Sequence, residues 1–149
     1  MTIRSLAFAL ALCGIGAAHA ADTPNVQATN GWVRVLPGTL PAGGYVTFAN
    51  RSDRVLSIVG AESPQYGEAM IHRSSTDGGM GRMEMVDSVP LPAKGTVAFA
   101  PGGFHVMLMQ PKQAVKPGDK VTVTFTLSDG EKIPATLLAR PANATGPTD

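Results

Sequence analysis

Lys120-Val-Thr-Val-Thr-Phe-Thr-Leu127 and Lys132-Ile-Pro-Ala-Thr-Leu-Leu-Ala139 stand on either side of Ser128-Asp129-Gly130. Both flanks are rich in β-branched residues with a period of two, and the Asp-Gly step between them is a hairpin signal. The same grammar extends towards the N-terminus. Gly31–Val35 and Gly43–Ala49 are strand-like and are separated by the Pro37-Gly38 and Pro41-Ala42-Gly43 turns. Arg54–Ala61, Glu68–Ser74, Met80–Val86, Gly95–Ala100 and Phe104–Met109 complete a set of short strands with turn residues between them. No repeat and no helix of useful length is visible. The pattern predicts one all-β domain, a Greek-key sandwich or barrel.

Composition agrees with that class. The 149 residues carry 17 Gly and 12 Pro with only 5% aromatics, and 44% are hydrophobic, enough for a core. Lys+Arg is 12 against 11 Asp+Glu, with no block of like charge. Nucleic-acid and polybasic membrane binding both need a concentrated basic surface, so neither is expected.

Residues 1–20, MTIRSLAFALALCGIGAAHA, predict an export signal. Arg4 supplies the positive start, Leu6–Ile15 the apolar segment and Ala18-His19-Ala20 a small-x-small cleavage site. The apolar run falls short of the roughly 20 residues needed to span a bilayer, so no membrane anchor is expected in the mature chain. Leu12 before Cys13 is larger than a lipoprotein signal wants, and Cys13 is read as part of the apolar segment. Export places the protein in the periplasm. Residues 21–140 are expected to form the domain, and Pro141–Asp149 a disordered tail.

Cleavage would remove the chain's one cysteine. The mature protein then has no disulfide, thiolate nucleophile, CxxC pair or Cys-ligated metal, which excludes a thiol oxidoreductase and a blue-copper carrier. Its remaining histidines, His72 and His105, and its methionines, Met70, Met80, Met83, Met85, Met107 and Met109, all fall between residues 70 and 109. Methionine does not serve as gap-filler elsewhere in the domain. Thioether sulfur with imidazole nitrogen selects Cu(I), whereas zinc favours Cys, His and carboxylate, and calcium or magnesium favours oxygen. Thioethers also survive an oxidising compartment that would consume a thiolate.

Strand alternation puts His105, Met107 and Met109 on one face, opposite Phe104, Val106 and Leu108. It pairs Met70 with His72 on one face, and Met83 with Met85 away from Arg82 and Glu84. Six thioethers exceed what one ion needs. Met70, Met80, Met85 and Met109 are therefore read as surrounding or core residues, with Met85 and Met109 as substitutes. Trp32 and Arg34 are read as a core aromatic and a solvated or capping cation.

His72, Met83, His105 and Met107 follow an H-x10-M-x21-H-x-M spacing. With Pro101-Gly102-Gly103-Phe104-His105-Val106-Met107-Leu108-Met109, Gly31-Trp32-Val33-Arg34, Ala42-Gly43-Gly44-Tyr45 and Gly118-Asp119, the chain resembles the periplasmic copper chaperones of the PCu(A)C family from about Thr29 to Ala139. The resemblance implies a cupredoxin-like β-sandwich with Cu(I) held near the surface by His72, Met83, His105 and Met107. It implies ligand exchange rather than catalysis, so the protein is expected not to be an enzyme. It also implies delivery towards cytochrome c oxidase assembly, at the copper centre of subunit II or through a Sco-type partner. Arg73 stands where the family commonly has a carboxylate or similar polar residue, and alternation turns it away from His72. The tail lacks the His and Met of extensions that bind Cu(II) in some relatives. Two other classes use the same residues differently: a periplasmic copper-sequestering or resistance protein, and a metal-free β-sandwich interaction module with methionine as core.

Overall fold

A computed structural model describes residues 24–148. The expected signal, residues 1–20, lies outside them. The strands are β1 (Val26–Arg34), β2 (Ala42–Asn50), β3 (Leu56–Glu62), β4 (Tyr66–Ser75), β5 (Arg82–Met85), β6 (Val89–Leu91), β7 (Thr96–Ala98), β8 (Phe104–Pro111), β9 (Lys120–Leu127) and β10 (Lys132–Arg140). A single 3-10 turn, Asp77–Gly79, precedes β5. The strands hydrogen-bond in the order β5-β4-β8-β2-β1-β10-β9-β3-β6, with β7 added to β2. Only β1 and β10 run parallel, joining two antiparallel wings. The chain crosses between wings at β2–β3, β3–β4, β5–β6, β6–β7 and β8–β9, so neighbours in sequence are often not neighbours in the sheet. The result is the expected all-β, cupredoxin-like sandwich.

The wings close on an apolar interior. Phe48 of β2 meets Phe125 of β9 edge to face at 4.8 Å between ring centres, and Phe99 lies 5.2 Å from Phe48. Such aromatic pairs add about 0.5–1.5 kcal/mol each to the area they bury. Val121, Val123, Phe125 and Leu127 point inwards from β9 and alternate with Lys120, Thr122, Thr124 and Thr126. That inward set is the period-two signal itself.

Three local differences from the sequence expectation have physical causes. First, β1 begins at Val26, five residues ahead of Gly31. Asn30 has φ 54°, and the register with β2 shifts between Thr29 and Trp32, which breaks the alternation a pattern reading follows. Second, Val89–Leu91 forms β6 against β3. Buried Asn50 holds it, donating from Nδ2 to the carbonyls of Arg54, Leu91 and Pro92 while its Oδ1 accepts from Ser52. Three residues containing a proline carry too little pattern to announce a strand. Third, the tail expected to be disordered folds back at Pro141–Ala144. Ala144 is 5% exposed beside Trp32 and Tyr45, and its carbonyl accepts from Arg34 Nε and Nη2 at 3.0 and 2.7 Å. One docked residue has no periodicity to detect.

Candidate metal centre

The site grows out of strand register. β4 and β8 are antiparallel with His72 opposite His105, Met70 opposite Met107 and Glu68 opposite Met109. On the far side of β4, β5 sets Met85 opposite His72 and Met83 opposite Ser74. Residues directly opposite one another in a sheet share a face. These two ladders therefore gather His72, His105 and five methionines on the outer face, while Ile71, Val106 and Leu108 of the same strands enter the core. Arg73 turns from His72 and lies over the Phe104 ring, as alternation predicts.

The two imidazoles stand nearly perpendicular, with ring centres 5.8 Å apart. Met83, His105 and Met107 line a depression of about 310 Å³ together with Arg34, Gly43 and Tyr45. His72 stands beside it against His105. On the β2 side Met107 is opposite Gly43, and a Cβ at Gly43 would lie 3.0 Å from the Tyr45 hydroxyl oxygen. Glycine here leaves the Tyr45 ring room to reach across its own strand. Tyr45 then stacks against Trp32 at 4.4 Å and stands 6.3 Å from His105. Burial raises the Tyr45 hydroxyl above its ordinary value, partly offset by the Arg34 charge, so the phenol stays neutral.

The Pro101-Gly102-Gly103 turn orients His105. Gly102 takes φ 81°, a conformation glycine adopts without steric cost. The Gly103 carbonyl then accepts from Ser74 N at 3.0 Å and from His105 Nδ1 at 3.1 Å. A carbonyl only accepts, so Nδ1 carries the hydrogen and the lone pair sits on Nε2. This backbone-to-imidazole arrangement fixes the tautomer of metal-binding histidines. His72 is different. Its Nδ1 is buried and has no hydrogen-bond partner. Burial first, and the neighbouring His105 second, hold its pKa below the ordinary 6.5. A neutral imidazole with an unsatisfied buried nitrogen suits a cation ligand.

The methionines are not core. None of the six is among the buried hydrophobic residues, and Met80, Met83 and Met85 are 66, 57 and 62% exposed. Full burial of such a side chain contributes about 1.5–3 kcal/mol, which these positions largely forgo. The core alternative for Met70, Met80, Met85 and Met109 is therefore corrected. Met80 is at the exposed end of the turn before β5, while Met70, Met85 and Met109 lie on the donor-bearing face. Met70, opposite Met107 on the sheet, does not line the depression of Met83, His105 and Met107. Tyr45 and the Gly103 carbonyl were missed as site-shaping groups, although both belong to motifs visible in the sequence. Trp32 is buried as expected of an aromatic, but on the outer face rather than in the main core, with Arg34 5.5 Å above its ring.

The donor set fits a soft monovalent ion. No carboxylate lines the depression, and its one charged side chain, Arg34, is turned to the Ala144 carbonyl. Among the described residues no three His, Cys, Asp or Glu side chains come together as a metal-binding group. Neutral sulfur and nitrogen are donors that soft ions take, whereas calcium and magnesium favour oxygen.

Comparison with known proteins follows the same lines. The Cu(I) form of DR1885 from Deinococcus radiodurans, solved in solution, is 30% identical with a TM-score of 0.61, over 87% of this chain and 85% of that one. The copper-bound PCuAC domain from PmoF2 shares the fold, with a TM-score of 0.65 at 21% identity over 79% of this chain and 94% of its own. The "Putative lipoprotein Lxx21020" of Leifsonia xyli subsp. xyli is 29% identical over 142 residues, 91% of this chain and 85% of that protein. The uncharacterized protein RP573 of Rickettsia prowazekii is 33% identical over 87 residues, 57% of this chain and 48% of its own. No helix among the described residues is long and apolar enough to cross a membrane. PCuAC domains are thus among the structural neighbours of this chain; residues 26–138 match the family model described as "Putative lipoprotein LpqE-like", and the chain belongs to this family.

Proposed function

We propose that this protein is an exported copper chaperone that holds Cu(I) between His72, Met83, His105 and Met107 and hands it on by ligand exchange. The observation that carries this is the meeting of both imidazoles and several thioethers on one outer face, with the His72 Nδ1 unpartnered. Kinship with DR1885, whose solution structure was determined with Cu(I), supports the choice of metal.

The division of labour follows from exposure. His105 is buried and fixed by the Gly103 carbonyl, so it is the anchoring ligand. Met83 is more than half exposed on edge strand β5, so it is the ligand an acceptor's donor atom displaces first. Thioethers are neutral and leave without taking a proton, which keeps exchange free of charge separation. The acceptor is the copper centre of cytochrome c oxidase subunit II or a Sco-type protein, and residues 1–20 direct the chain to the periplasm.

Competition titration with Cu(I) at pH 7 tests the site. The wild-type chain should bind one ion tightly, and His105→Ala should weaken that binding about 100-fold or more. Unchanged affinity in the variant would remove the proposal. Transfer from the loaded chain to apo subunit II separates a chaperone from a copper-sequestering protein, which would retain its ion.

A further inference from the structure

Met70 and Met85 do not line the depression shared by Met83, His105 and Met107. They line a second one, also of about 310 Å³, where the β4–β5 edge faces β3 at Val59 and Ala61, with Asp87 among its walls. Met85 is opposite His72, and Met70 lies two residues along β4 from His72. The two methionines are thus diagonal neighbours on one face, a separation of about 7–8 Å that two long side chains can close. Val86 N donates to the Ile71 carbonyl at 3.0 Å, extending the ladder past Met85 and bringing Asp87 level with Met70. Asp87 forms none of the ion pairs of the described residues. Nothing in the centre described above uses these three side chains, and the exposure of Met85 is unexplained by packing.

We propose that Met70, Met85 and Asp87 form a second station for Cu(I), weaker than the first, at the edge of the same face. Two neutral thioethers and one carboxylate would balance a monovalent charge. The first depression instead carries the Arg34 guanidinium and relies on imidazoles. His72 stands between the two stations: Met85 faces it on one side and His105 on the other. An ion arriving or leaving at the β4–β5 edge therefore passes from sulfur to sulfur past His72 without entering free solution. This deepens the copper reading above, but it concerns different side chains and can fail separately.

Ag(I), a redox-inert substitute for Cu(I), is the probe, with the full chain labelled at the methionine methyl carbons. The first equivalent should shift the Met83 and Met107 methyl signals, and the second those of Met70 and Met85. Met85→Leu keeps volume at an exposed position, so folding is retained. It should weaken the second step about tenfold or more and leave the first unchanged. Met70 and Met85 signals that move together with the first equivalent would overturn the second station by merging it with the first, and signals still after two equivalents would overturn it outright. If instead Met83 and Met107 fail to respond, the centre proposed above falls, whatever the other pair does.

Discussion

The β9–β10 hairpin and the β4–β5–β8 wing follow the same rule and put it to different uses. Inwards they are alike: Val121, Val123 and Phe125 in one, Ile71, Val106 and Leu108 in the other, all part of one core. Outwards they diverge. β9 shows Thr122, Thr124 and Thr126 to solvent, with Lys132 bonded to Thr126 Oγ1 and to Glu62 on the surface. The wing shows imidazole and thioether. Met83 and Met85, more than half exposed, gain little from burial, and their clustering with other thioethers on one face points to a requirement other than folding. Stability and chemistry are thereby carried by opposite faces of the same strands, and each can be disturbed without the other.

The strongest break in that comparison is Phe125→Ala. It removes the ring that Phe48 and Phe99 pack against, and should cost about 3–5 kcal/mol in chemical denaturation. The Cu(I) affinity of the molecules that remain folded should be unchanged. Met83→Leu reverses the pattern. Copper affinity should fall ten- to a hundredfold in competition titration, while stability moves by no more than about 0.5 kcal/mol, because the residue is exposed. Arg34→Ala falls between them. Losing both hydrogen bonds to the Ala144 carbonyl should free the tail at a cost of about 1 kcal/mol and change Trp32 fluorescence, since Trp32 packs on Ala144.

The smallest effect is a pH dependence. The His72 pKa is lowered from 6.5 by burial and then by His105. An unfolded His72 takes up its proton near pH 6.5 while the folded one resists. The apo fold therefore keeps its full stability above that pH and loses some as pH falls towards the lowered value. NMR titration of the apo protein should put the His72 midpoint below 6.5. If His72 holds copper as proposed, proton competition there should begin correspondingly lower.

Much of the molecule was legible before any coordinates. Period-two runs with Gly and Pro between them give an all-β domain, and alternation assigned the faces of Phe104–Met109 correctly because β8 is regular there. What was not legible was local and irregular. The left-handed Asn30 hid the first half of β1, Asn50 rather than any pattern holds β6, and a single docked alanine ties down the tail. For the site, clustering of His72, His105 and the methionines within one window identified the chemistry. It put Met85 forward as a substitute and Met70 among surrounding or core residues, but not the depression each lines, which depends on which strand lies beside which.

Residue type alone thus determined that this chain is β-structured, that its clustered imidazole and thioether donors are soft, and where in the sequence they sit. Hydrophobic period and donor softness are properties a side chain has before folding. Register decided the rest: His72 opposite His105, Met107 opposite Met70, and Met85 turned to a separate depression at the β4–β5 edge. Those neighbours come from different segments of the chain, and hydrogen-bonded pairing within a closed sandwich is what brought them onto one face.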